Sequence, residues 1–268
     1  MRETIQPQFV ERYGPWALIA GASEGLGEAY AHALARRGLN VILIARREQP
    51  LRTTASAISE RHGVEVHTLA LDLADPELLE RVRAGVGPRE VGLLIYNAAY
   101  SRIGGFFEQT LEDKLRMLDV NCRGPIVLCH ELGAAMRARG RGGIVLMSSM
   151  AGMQGTPRLA VYAASKSFDL ILAESLWGEL KGAGVDVLAC VAGATRTPGF
   201  EAAASTAQGP VMDPAQVVEE ALAGLSWRPS TPSMIPGIAN KLASLLLARL
   251  PRRRRVLIMK AALGDSAS

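Results

Sequence analysis

The chain has 268 residues, of which 49% are hydrophobic and 21% charged, and a formal net charge of +4. That length and apolar content suit one large α/β domain with a full core and argue against extended disorder. The positive charge is spread along the chain apart from Arg252–Arg255, no basic stripe carries interleaved aromatics, and no uncharged run reaches the roughly 18 residues of a spanning helix, which disfavours nucleic-acid binding and membrane insertion.

In chain order, residues 1–14 lack the apolar stretch of a secretory signal. Residues 16–20 form an apolar run that breaks at Gly21, and residues 25–37 follow as a helix ended by Gly38. Strands are expected at 41–45, 64–71, 91–96, 143–147 and 185–191, with a short last one at 234–235. Between them the spacing predicts helices at 50–62, 76–84, 111–139 (broken near Arg123-Gly124-Pro125), 161–181 and 214–225. Residues 193–210 form a polar connection expected to close over a ligand as a lid. Helical segments at 239–250 and 256–263 finish the chain. Strands without a polar face, alternating with helices, predict a doubly wound, mostly parallel seven-stranded sheet flanked by helices. Residues 1–236 form the domain, and 237–268 are a helical extension of it.

The turn after the first strand reads Gly21-Ala22-Ser23-Glu24-Gly25-Leu26-Gly27. Glycines let the backbone turn tightly and approach a pyrophosphate, while the helix N-terminus beyond offers unpaired N–H groups and a positive dipole end. After the second strand, an acid would bind adenosine ribose hydroxyls and an arginine would accept a 2′-phosphate. Here Ala45 stands where the acid is expected, and Arg46 and Arg47 follow. Arg46, with Arg47 and the Ser23 hydroxyl, favours NADP(H) over NAD(H).

Tyr162 and Lys166 lie four apart near the start of a helix, on one face. A phenol titrates at about 10, and a nearby ammonium lowers that value, so the pair is a candidate general acid/base. Ser148 and Ser149 follow the fifth strand, at the carboxyl end where such sheets bind ligands. A hydroxyl there suits a substrate oxygen.

With these motifs in place, the chain resembles the short-chain dehydrogenase/reductase family, in its single-domain Rossmann-type branch. The matches are Gly21-x-x-x-Gly25-x-Gly27, Asp72, Asn97-Ala98-Ala99, Asn121, Ser149, Tyr162-x-x-x-Lys166, and Gly193 with Thr197. The resemblance implies that Tyr162 protonates a substrate oxygen as hydride leaves the nicotinamide, and that Lys166 lowers its pKa and holds the nicotinamide ribose. It implies that Ser149 orients the carbonyl and Asn121 positions a water linking Lys166 to solvent. Asp72 and Leu73 would contact adenine, Asn97 and Ala98 would lie under the cofactor, and Gly193, Thr195 and Thr197 would border the nicotinamide. Departures from the family pattern are Ala20 where threonine is usual, Ala99 closing the Asn97 segment, and Ala192 before Gly193; none removes a reacting group.

Tyr100, Ile103, Met150, Met153, Leu159 and Phe200 border the expected pocket and favour an apolar carbonyl or alcohol substrate. Cys122, Cys129 and Cys190 show no metal or disulfide spacing, and His32, His62, His67 and His130 read as structural, so no metal is implied and a cytoplasmic setting is expected. The C-terminal basic helix is expected to pack with its arginines in water, in preference to lying on an anionic membrane surface. Family resemblance further implies a homodimer or homotetramer paired through residues 111–139 and 161–181. The competing readings are an NADP-sensing protein without turnover, and an epimerase or dehydratase on the same scaffold.

Overall fold

The computed structural model describes residues 6–203 and 211–262. A short helix α1 (Pro7–Tyr13) precedes β1 (Trp16–Ala20), α2 (Gly25–Arg36), β2 (Asn40–Ala45), α3 (Glu48–His62) and β3 (Val66–Ala70). Then come α4 (Leu78–Val86), β4 (Val91–Tyr96), α5 (Leu111–Leu118), α6 (Gly124–Arg139) and β5 (Gly142–Ser149). The second half holds α7 (Ala160–Leu180), β6 (Val185–Ala192), α8 (Pro198–Ala203), α9 (Pro214–Ser226), β7 (Ser233–Met234), α10 (Ile238–Ala248) and α11 (Arg252–Ala262). The sheet runs β3-β2-β1-β4-β5-β6-β7 with every pairing parallel. The doubly wound, seven-stranded expectation therefore holds. The order reverses between β1 and β4, which opens a crevice at their carboxyl ends.

Every residue of β1, β4 and β6 is buried, because helices cover both faces. On one side Tyr30, Leu34 (α2), Leu51, Ile58 (α3), Val217 and Leu222 (α9) share a core with Ile19 and Leu43. On the other, Val82 (α4), Leu132 (α6) and Ala173 (α7) pack with Leu18, Leu94 and Leu146. The edge strand β3 is only half-buried.

Three features differ from expectation. The break near Arg123-Gly124-Pro125 is a π-helical turn, Asp119–Arg123, that joins α5 to α6 without interruption. Pro125 lacks the N–H that an α-helical bond to Asn121 would use, and the Gly124 N–H reaches back to the Asp119 carbonyl. Within the expected lid, residues 198–203 form α8, and residues 204–210 lie outside the described residues. Helix α1 had no counterpart in the periodicity; Phe9 and Tyr13 bury themselves in the core beside α2.

Asp186 at the start of β6 anchors α1. It accepts from Arg12 Nε at 2.5 Å, Tyr13 Oη at 2.7 Å and Arg228 Nη2 at 2.9 Å. Burial opposes the carboxylate, but these three donors outweigh it and hold the pKa below the ordinary range. A depressed folded value means that the contribution is present above about pH 4 and disappears as pH falls through the folded pKa. Asp186→Asn should therefore lose about 1–3 kcal/mol at neutral pH. Urea unfolding checks this, and the gap to the wild type should shrink in acid; a gap indifferent to pH would contradict the assignment.

Candidate active site

The glycine turn sits at the mouth of the crevice. Gly21 has φ +82°, and a Cβ there would stand 2.7 Å from the Ala98 Cα. A Cβ on Gly27 would fall 1.8 Å from the Gly21 carbonyl oxygen, so only glycine allows α2 to begin this close to β1. Asn97 locks the turn from β4, its Nδ2 donating to the Gly21 carbonyl at 2.9 Å. Ala22 is buried, Ser23 and Leu26 are half-buried, and Glu24 is exposed. Glu24 is the residue before α2 and its side chain makes no capping bond, which leaves the first N–H groups of the helix facing outward. This cradle, which side chains would fill, fits a pyrophosphate.

Around its rim, Arg46 is exposed beyond the end of β2, and Arg47 pairs with Glu24 at 2.7 Å. Leu71 N bonds Ala45 O, which brings Asp72 beside Arg46. Asp72 accepts from Ala74 N at 3.0 Å and from Arg116 of α5 at 2.5 Å. Leu73 is buried in the core on the α4 side. Thr195 is buried and donates to Gly193 O at 3.1 Å. Thr197 accepts from Phe200 N at 3.2 Å at the start of α8, and its side chain closes on Gly25, where a Cβ would meet its Cγ2 at 3.0 Å. The segments after β1, β4 and β6 thus converge on one crevice.

Ser149 ends β5, and its Oγ accepts from Ala151 N at 3.2 Å as the chain enters a 3₁₀ turn, Met150–Met153. Tyr162 lies half-buried in the first turn of α7. Lys166 follows on the same face, its Nζ 6.0 Å from the Tyr162 ring centroid. The Lys166 ammonium is fully enclosed: it donates to Met147 O at 2.8 Å and to Asp169 Oδ2 at 2.9 Å. The Ser148 hydroxyl closes the joint by donating to Lys166 O at 2.6 Å. Burial works against the ammonium, but the Asp169 carboxylate, the Tyr162 phenol and the Asp169 hydrogen bond outweigh it and raise the Lys166 pKa. Asp169 is 1% exposed, and its Oδ1 has no partner among the described residues.

Sequence reading missed Asp169. Its signal was an acid set inside an apolar helical stretch, Phe168-Asp169-Leu170-Ile171-Leu172, three residues after a lysine. Asn121, in the π turn, is fully buried and spends its amide elsewhere than on Lys166. It donates to Tyr100 O at 2.9 Å and Ser165 Oγ at 3.0 Å, and accepts from Tyr100 N at 2.7 Å. Arg158, between Ser149 and Tyr162, holds φ +67°, a strained conformation for a non-glycine residue. Of the expected pocket residues, Tyr100, Met150, Met153, Leu159 and Phe200 are half-buried, while Ile103 is exposed.

A parallel sheet with a glycine cradle at its reversal point, and a serine, tyrosine and lysine beside it, defines a nucleotide-dependent α/β enzyme. Residues 15–208 match the family described as short chain dehydrogenase. The chain belongs to that family, and is an NAD(P)-dependent oxidoreductase acting on CH–OH or C=O groups of small molecules. It is 34% identical over 188 residues to the 7beta-hydroxysteroid dehydrogenase of Collinsella aerofaciens, covering 70% of this chain and 72% of that protein. A structure solved in work on 7beta-hydroxysteroid dehydrogenase stereoselectivity matches with TM-score 0.86 and 30% identity, covering 94% of this chain and 98% of that one. A short-chain dehydrogenase from Sphingobium yanoikuyae in complex with NADPH matches with TM-score 0.78 and 31% identity, covering 95% and 98%.

Asp169→Leu should leave the Lys166 ammonium buried without a counter-charge and cost about 3–5 kcal/mol in urea unfolding. Combining it with Lys166→Met removes both charges and should recover most of that loss. A single variant as stable as the wild type would contradict the pairing.

Proposed function

We propose that the protein is an NADP(H)-dependent carbonyl reductase or alcohol dehydrogenase for an apolar substrate, with Tyr162 as the acid/base. The observation that carries this reading is the placement of Ser149, Tyr162 and a charged Lys166 at one joint between β5 and α7, beside the glycine cradle. When bound, the nicotinamide supplies or accepts the hydride. In the reductive direction the Tyr162 hydroxyl gives its proton to the substrate oxygen, and the nearby Lys166 ammonium stabilises the phenolate left behind. The Ser149 oxygen already accepts from Ala151 N, so its own proton is free to hold the substrate oxygen. Asn121 serves as a positioning residue that ties Tyr100 to Ser165 of α7.

The residues that would hold the cofactor follow the crevice. Gly21, Ser23, Glu24, Gly25, Leu26 and Gly27 with the α2 N-terminus take the pyrophosphate. Asp72, Leu73, Asn97 and Ala98 flank the adenosine side. Gly193, Thr195 and Thr197, with Tyr162 and Lys166, border the nicotinamide and its ribose. Arg46 supports the NADP preference: it is exposed at the end of β2, whereas Arg47 is engaged with Glu24. The half-buried Met150, Met153, Leu159, Tyr100 and Phe200 support an apolar substrate.

Exposed Leu111, Leu115 and Leu118 of α5, Ile126 of α6 and Ile171 of α7 support a homodimer formed through these helices. A cytoplasmic setting agrees with three unpaired cysteine thiols. Among the described residues, no helix is long and apolar enough to cross a membrane.

Tyr162→Phe should lower turnover by at least about a hundredfold while NADPH binding, read by fluorescence titration, stays near the wild type. Retained turnover would refute the proton-donor role. Arg46→Asp should lower kcat/KM for NADPH far more than for NADH, and equal use of both cofactors by the wild type would refute the phosphate contact.

A further inference from the structure

Helix α10 is amphipathic with its polarity reversed. Asn240 and Ser244 are buried, while Ile238, Leu242, Leu245 and Leu246 are exposed, Ile238 by 76% and Leu246 by 65%. Positions 238, 242, 245, 246 and 249 follow the three- and four-residue spacing of one helical stripe, so the four aliphatic side chains and the exposed Arg249 share a face. Helix α11 repeats the pattern, with Arg254, Leu257, Ile258 and Ala261 as its exposed stripe.

Both helices rest on the segment that follows Ser149. Ser244 Oγ lies 3.5 Å from Met153 Sδ, and a Cβ on Gly155 would meet Val256 Cγ2 at 3.2 Å. Arg255 borders a small cleft beside Met150 and Met153, and its Nε donates to Leu250 O at 2.8 Å, which ties α11 to the end of α10. With Ser244 and Val256 on the docked side, the apolar stripes of both helices turn away from the body.

Charge follows the same division. Residues 238–262 hold seven basic side chains, Lys241, Arg249, Arg252–Arg255 and Lys260, and no aspartate or glutamate. The whole chain carries a net +4, so the rest of it is net negative. A second copy fits this face poorly, because a two-fold contact would set like charges against each other. The apolar face of α5 differs: Leu111, Leu115 and Leu118 lie among acids and bases alike, Glu112, Asp113, Lys114, Arg116 and Asp119. Nucleic acid would account for the arginines and not for the aliphatic stripes. An anionic bilayer accounts for both. Leucines and isoleucines enter the acyl boundary, and arginines meet lipid phosphates at headgroup level with their stems along the apolar surface. Each helix has 11 residues, far fewer than a span requires, so the pair lies along the interface.

We propose that α10 and α11 dock the protein on the surface of an anionic lipid bilayer. The sequence alone favours a packed helix with its arginines in water. The structure reverses that preference, because α10 packs through Asn240 and Ser244 and leaves four aliphatic side chains outside. The proposal goes beyond the oxidoreductase reading and does not depend on it.

The test is co-sedimentation of the full chain with vesicles of phosphatidylcholine alone, and with vesicles containing about one-third phosphatidylglycerol. The wild type should bind the anionic vesicles strongly, the neutral ones weakly, and the anionic ones less as salt rises. Replacing Arg252→Gln, Arg253→Gln and Arg254→Gln together should weaken binding about a hundredfold, at roughly fivefold per charge. Leu242→Gln with Leu246→Gln should weaken it by at least about a hundredfold. All these side chains are exposed, so both variants should keep the thermal unfolding midpoint of the wild type. A wild type that ignores both kinds of vesicle would overturn the proposal. Binding that needs the arginines and not the leucines would overturn the docking of the apolar face. A change of oligomeric state in the leucine variant without vesicles, read by analytical ultracentrifugation, would assign the face to a protein contact instead.

Discussion

The ion pair between Lys166 and Asp169 is the constraint around which the joint between β5 and α7 is organised. A lysine so enclosed would ordinarily shed its proton, because burial penalises the charged form. Here the carboxylate at 2.9 Å and the Met147 carbonyl at 2.8 Å keep it an ammonium. The same bonds, with Ser148 reaching the Lys166 carbonyl, dock the first turns of α7 against the end of β5. Tyr162 and Ser149 are thereby held by one joint and not by independent loops. Such a pair contributes little net stability against a well-packed apolar alternative. On the function proposed above, its value lies in holding a positive charge near the Tyr162 phenol.

The two ends of the chain divide the remaining work. Residues up to Asn97 build the cradle proposed for phosphate, from close backbone approach, a helix N-terminus and the Asn97 bond to Gly21. After β5 come the 3₁₀ turn and α8, and the α10–α11 pair packs on Met153 and Gly155. The C-terminal segment, read from sequence as an extension of the domain, places its Arg252–Arg254 run in water and its Arg255 inside a cleft.

Much of this is legible in the sequence. Strands such as Val91–Tyr96 carry no polar residue, which only a sheet covered on both faces permits, and glycines mark the turn where side chains have no room. Tyr162 and Lys166 were readable because four-residue spacing on a helix is a geometric fact. What escaped was set by tertiary contact. Helix α1 is seven residues long and is held by Asp186, which lies more than 170 positions away. Asp169 looks like a solvated helix acid until α7 is seen to be enclosed on that face as well. The π turn hid behind Pro125, which reads as a breaker yet only shifts the hydrogen-bond register.

The charge state of Lys166 in the free enzyme tests this account most directly. With five lysines in the chain, a carbon-13 label at the lysine Cε positions gives few resonances, and Lys166→Arg identifies the one of interest. The account predicts that this resonance stays at its ammonium position up to or beyond the ordinary lysine pKa of about 10.4. A Lys166 that loses its proton well below that value would show that Asp169 does not hold the charge, and the arrangement proposed around Tyr162 would fail.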